Sequence, residues 1–262
     1  MRVWEALGEL WQARELVRTL VERDLRARYR RAFLGFAWAI ITPLVFMVVF
    51  TVFFQRVAKV DTQGAPYPLF AYIGFTAWSF FSRSVSAGSS SLLGNSLLKK
   101  VYCPREIFPL ASIITVGVDT AVALGALAFL FVVTDFTPRI TTLWVPVLVI
   151  VQLAFVLGVT MALAPVAVYV RDLTHALPML LQLGLFATPV AYGLDVVPAS
   201  LRWLYALLNP LAPIIDGYRR TMLYGLAPNW ELLLLSSISA TLALVLGYTI
   251  FKRLETGLAD VA

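Results

Sequence analysis

This 262-residue chain has one cysteine, one histidine and few charges, which leaves little material for catalysis. Cys103 alone cannot close an intramolecular disulfide and offers no metal-ligand spacing. His175 sits in a short turn with Arg171 and Asp172 and reads as a capping or surface residue rather than a base. No G-x-x-x-x-G-K-[ST] phosphate cradle occurs, so the chain is not expected to hydrolyse ATP by itself. The first thirty residues are charged and lack the apolar core of a secretory signal. Charged residues make up 14% of the chain, against about a quarter in soluble domains. Hydrophobic residues reach 60% and the mean hydropathy is +0.82. These deficits exclude an ordinary soluble enzyme and point to a lipid environment.

The apolar runs then set the architecture. A hydrocarbon core about 30 Å thick needs roughly 20 apolar residues per helical crossing. Runs of that order lie at about 33–54, 67–93, 107–133, 143–169, 176–192 and 232–251. The expected fold is an all-α integral membrane protein with six transmembrane helices. Pro43 falls within the first run, where it should kink the helix and free a carbonyl. The second run is aromatic in its first half and rich in small residues in its second, which permits close packing in lipid.

Three further segments frame these runs. Residues 1–31 carry eight arginines against five acids. Trp4, Leu7, Leu10, Trp11, Val17, Leu20, Val21 and Leu25 recur at helical spacing, with a break near Arg14. This fits an amphipathic helix in the membrane interface, or a soluble helical cap on a neighbouring domain. Residues 97–110, LLKKVYCPREIFPL, form a charged elbow between the second and third runs. Residues 193–230 make neither a clean loop nor a clean span. The apolar piece 203–215 is broken at Asn209-Pro210 and Pro213, which suits a re-entrant hairpin or an external loop packed on the bilayer.

Charge gives the orientation. Fourteen basic residues fall on the side of the termini and elbow and six on the other, with Arg83 inside the second run. That asymmetry favours both termini in the cytoplasm. The net charge of +6 therefore reads as orientation in a bilayer rather than as nucleic-acid binding.

Few residues remain for chemistry. Arg83 and Asp119 are ionisable within expected spans, and an unpaired charge at the bilayer centre costs roughly 2.5–3.5 kcal/mol on insertion scales. They flank the elbow on the two arms of an antiparallel hairpin, so they are expected to pair. Aromatics supply 13% of residues. Phe36, Trp38, Phe46, Phe50, Tyr72 and Trp78 could line a sugar path by stacking, or form an interface belt. Arg26, Arg28, Arg30 and Arg31 suit an anionic lipid or pyrophosphate headgroup, or simple inner-leaflet anchoring.

The motifs VERDLRARYRRAFLGFAWAIITPL (21–44), LLKKVYCPREIFPL (97–110) and NPLAPIIDGYR (209–219) resemble the membrane subunit of ABC-2 type polysaccharide exporters, the O-antigen and teichoic acid permeases among them. The likeness covers nearly the whole chain, and the elbow is its most specific piece. It implies a cytoplasmic coupling helix between spans two and three and re-entrant gating helices between spans five and six. It implies a homodimer with a separate ABC ATPase dimer, which holds the ATP and magnesium; this chain itself takes no cofactor. Its substrate would be an undecaprenyl-pyrophosphate-linked glycan exported across the cytoplasmic membrane. By position, Lys99, Lys100, Val101, Tyr102, Cys103, Pro104, Arg105 and Glu106 would contact the ATPase. Trp203, Tyr205, Asn209, Pro210 and Pro213 would belong to the external gate. Many relatives carry an aromatic in the elbow where this chain has Cys103. Capsule permeases of the same superfamily match less well.

The expected organisation is therefore an interface helix at 1–31, a transmembrane domain at 32–254 and a cytoplasmic tail at 255–262. Two other function classes compete. A membrane enzyme acting on lipid-linked sugars would need carboxylates or histidines converging at one face, and the acids here are scattered. An ion-coupled carrier would show inverted repeats and several mid-membrane charges.

Overall fold

The computed structural model describes residues 8, 11–29, 37–53, 62–93 and 103–257. Among these the regular structure is helical: α1 (Arg14–Tyr29), α2 (Ala37–Phe50), α3 (Tyr67–Ser89), α4 (Ile107–Val133), α5 (Val145–Tyr169), α6 (Leu173–Ala187), α7 (Arg202–Leu208), α8 (Leu211–Arg219) and α9 (Trp230–Glu255).

Each element has a local cause. Helix α1 follows a turn at Ala13, next to the expected break, and carries Arg18–Glu22 and Arg26–Glu22 pairs at i,i+4 spacing. Such pairs support a solvent-facing helix surface. Its other face buries Leu20 and Val21 in a cluster with Ile107, Phe108, Ala111 and Phe251. Helix α2 runs through Pro43 without ending there. Helix α9 starts at Asn229, whose side chain accepts from the Leu232 amide, as an N-cap should. Gly225, at φ 69°, ends the turn before it; left-handed backbone of that kind suits glycine.

Among the described residues, three segments are long and apolar enough to cross a membrane: Ile107–Val133, Ile140–Tyr169 and Trp230–Glu255. Their outer faces expose Phe129, Val132, Ile150, Leu234 and Val245, as lipid contact requires. Ile40–Phe53 and Leu173–Ala187 are shorter apolar helices. The fifth run was expected to reach residue 192, but its helix stops at Ala187, before Thr188-Pro189.

Helix α3 is 23 residues long yet less apolar than these three. It is the central helix, with Leu69, Ala71, Tyr72 and Val85 completely buried. Because neighbouring helices rather than lipid surround much of it, serine and threonine are tolerated along its length. Helices α5 and α9 approach at Gly158 and Gly247, where a Cβ on either would collide with the other helix's main chain. Small residues at such crossings let backbones approach closely.

Candidate functional site

The elbow meets the C-terminal turn of α9. Lys99, Lys100, Val101 and Tyr102 lie outside the described residues, but Cys103, Pro104, Arg105 and Glu106 are described. Arg105 donates to the Glu255 carbonyl. Glu106, only 2% exposed, forms an ion pair with Lys252, which also reaches Glu255 at 2.9 Å. Tyr169 donates to the Leu254 carbonyl at 3.0 Å, so the ends of α5 and α9 close around the elbow. Burial pushes the Cys103 thiol up, against the opposing pull of Arg105.

Asp119 collects three partners. Its side chain is fully buried in α4 and pairs with Arg83 of α3 at 2.5 Å. Arg28 and the Tyr29 hydroxyl, both from α1, also donate to it. Burial first, and then the Asp119 carboxylate beside it, pushes the Tyr29 phenol up. The interface helix is thereby tied to the two central helices by a charge pattern of two guanidiniums to one carboxylate. Sequence reasoning brings Arg83 to Asp119, but it assigns Arg28 to a lipid or pyrophosphate headgroup or to inner-leaflet anchoring, not to Asp119. Arg26 instead pairs with Glu22 on the exposed face, and Arg30 and Arg31 lie outside the described residues.

A cavity of about 570 Å³ opens beside this cluster, bordered by Arg28, Arg83, Ser82, Gln182, Phe46 and Trp78. Of the aromatic residues singled out, Phe46 stacks on Phe75 with ring centroids 4.4 Å apart, and Trp78 packs against Gly184. Trp38 is exposed and Phe50 is buried in the core. Tyr72 is completely buried, its hydroxyl bonded to the Ala123 carbonyl, so it serves helix packing. Phe36 lies outside the described residues.

The remaining candidates lie in the 193–230 segment. Trp203 and Tyr205 sit on the seven-residue α7, and Tyr205 donates to the Ala187 carbonyl. Asn209 breaks the helix and donates to Thr188 at 2.8 Å. Pro210 caps α8, and Pro213 is buried within it. Helix α8 ends in Arg219, which is 2% exposed. The Arg219 guanidinium donates to the carbonyls of Phe70, Pro189, Val190 and Tyr192 and lies 3.5 Å over the Phe70 ring. Gly74 leaves room for it, since a Cβ there would strike the guanidinium. Sequence charge counting places Arg219 with its half-buried neighbour Arg220, which donates to the Ala227 carbonyl. A doublet beside Asp216 carries no signal of which arginine points inward.

One further polar chain crosses the interior. Tyr218 donates to Gln152 at 2.8 Å, and Gln152 donates to the Ala77 carbonyl at 2.8 Å. It links α8 to α5 and α3. Among the described residues no cluster of three histidine, cysteine or acidic side chains could hold a metal.

Residues 15–223 match the model of the ABC-2 type transporter membrane family. The chain belongs to that family. It is a membrane transport permease chain, and the family works with an ATPase partner. Among its relatives is the O-antigen export system permease protein RfbA of Myxococcus xanthus, 35% identical over 238 residues, covering 89% of this chain and 90% of the relative. A Klebsiella pneumoniae protein of the same name is 27% identical over 94% of this chain and 95% of the relative. The polysialic acid transport protein KpsM of Escherichia coli is 21% identical over 91% of this chain and 93% of its own.

Proposed function

We propose that this ABC-2 chain is the membrane-spanning permease subunit of an ATP-driven transporter that exports a lipid-linked, O-antigen-like polysaccharide across the cytoplasmic membrane. The observation that carries this reading is the 35% identity, over nearly the full length of both chains, to a protein named as an O-antigen export permease. The capsule-type reading, polysialic acid among its substrates, has weaker support at 21% identity.

The chain acts as a homodimer with a separate ATPase dimer that binds ATP and magnesium. This reading takes six crossings, supported by three long apolar helices, two shorter ones and α3 among the described residues, and places both termini in the cytoplasm, supported by the basic-residue asymmetry. Helix α1 lies in the inner interface; Arg28 is taken up by Asp119, which leaves Arg26, Arg30 and Arg31 as the candidates for anionic headgroups. Residues 99–106 receive the ATPase, and the 193–230 hairpin gates the outer end. Phe46 and Trp78, which border the cavity beside Arg83, are the aromatic candidates best placed to meet sugar rings. Trp38 and Phe36 are interface candidates.

The elbow role has a direct test. Replacing Pro104, Arg105 and Glu106 together should leave ATP hydrolysis by the assembled complex running while export stops. Normal surface glycan in that triple variant would refute the assignment.

A further inference from the structure

Helix α9 joins the two ends of the molecule that transport must coordinate. Its 26 residues extend about 39 Å at 1.5 Å per residue. At its C-terminal turn, Lys252 holds Glu106 of the elbow and Glu255 of its own helix, while Arg105 holds the Glu255 carbonyl. Lys252 thus faces two carboxylates, and Arg105 adds a second cation bound to the main chain beside them. Glu106 is buried, and its Oε2 makes no hydrogen bond among the described residues, so the carboxylate depends on Lys252. Separating a buried pair leaves one charge uncompensated, which is costly. The end of α9 therefore cannot easily be left behind when the elbow moves.

The remainder of α9 is built to carry that displacement. Backbone contact at Gly158 and Gly247 locks it to α5. Nearer its N-terminus, Ser239 donates to the Leu207 carbonyl of α7 at 2.8 Å. One helix thus holds the elbow at its C-terminal turn and touches α7 at Ser239 in its N-terminal half.

We infer that Lys252 is a positioning residue for transport, making α9 follow the elbow so that elbow displacement reaches the α7–α8 hairpin. The inference rests on the reading of the elbow as the ATPase contact. Contiguity alone does not establish coupling, so the test must measure it.

The transporter assembled with its ATPase, in membrane vesicles, is assayed for complex amount, ATP hydrolysis and glycan exported per ATP. K252M should keep assembly and hydrolysis near the parent while export per ATP falls about tenfold. K252R, which retains the charge, should stay within about twofold of the parent. The double variant E106Q/K252M should lose no more than K252M, because the two residues act as one unit. Unchanged export per ATP in K252M would overturn the inference. So would losses in E106Q and K252M that multiply, or a loss that only tracks reduced assembly. Protection of Cys103 from a maleimide by the ATPase reads the elbow contact separately. If Cys103 is protected and K252M exports normally, the inference falls and the elbow reading stands. If the parent shows no protection, both fall.

Discussion

Arg219 satisfies four main-chain carbonyls with one guanidinium, binding the last turn of α8 to α3 and to the segment after α6. Orphaned buried carbonyls cost about 1–3 kcal/mol each. Arg219→Met is therefore expected to destabilise the detergent-solubilised protein by about 3 kcal/mol or more, measured by thermal unfolding. A loss similar to that of Arg220→Met, whose half-buried guanidinium holds the single Ala227 carbonyl, would contradict this account. At Asp119 the sequence expectation is a two-residue pair, and the structure adds Arg28 and Tyr29. Arg83→Gln leaves Asp119 a second guanidinium, whereas Asp119→Asn strips the charge from both. The second change should thus cost more stability, and the charge-reversed double variant should recover only partly, because Arg28 would then face an arginine. Full recovery in unfolding midpoints would show that Arg28 contributes nothing. Cys103 gives a pH readout. Its folded pKa lies above the ordinary thiol value, so at neutral pH it holds less of the reactive thiolate than a free thiol. Maleimide labelling should be slow near pH 7 and accelerate through a more alkaline range than for a free thiol; an ordinary thiol profile would show that burial does not govern this site.

At the level of elements, α5 and α9 depend on two glycines that cannot be read from hydropathy. Gly247→Ala places a methyl group against the Gly158 carbonyl, and overpacking of this kind costs about 1–3 kcal/mol. The expected result is a lower unfolding midpoint for Gly247→Ala than for Gly117→Ala, since an added Cβ at Gly117 meets open space. The boundaries of α4 and α5 were legible, because long apolar runs in lipid leave the backbone no choice but a helix. The end of α6 was less so: apolar residues continue past Ala187, yet Thr188-Pro189 ends the helix and turns the chain toward Arg219. Hydropathy does not separate an apolar turn buried in protein from an apolar helix.

For the whole molecule, the absence of a nucleotide cradle from the sequence leads to an expected outcome: the purified chain alone shows no ATPase activity above a detergent blank. Activity that remains after removal of copurifying ATPases would overturn it. The sequence by itself determined the membrane setting, the positions of the long apolar helices, the charged elbow and the broken apolar hairpin. These follow from local composition, since lipid selects long apolar helices and proline breaks them wherever they lie. Only the tertiary structure decided that α3 is central, that Asp119 ties the interface helix to it, that Arg219 points inward and that Lys252 meets the elbow. Each joins residues far apart in the chain. A lone charge declares its cost in a membrane but not its partner, because partner choice depends on how the helices pack.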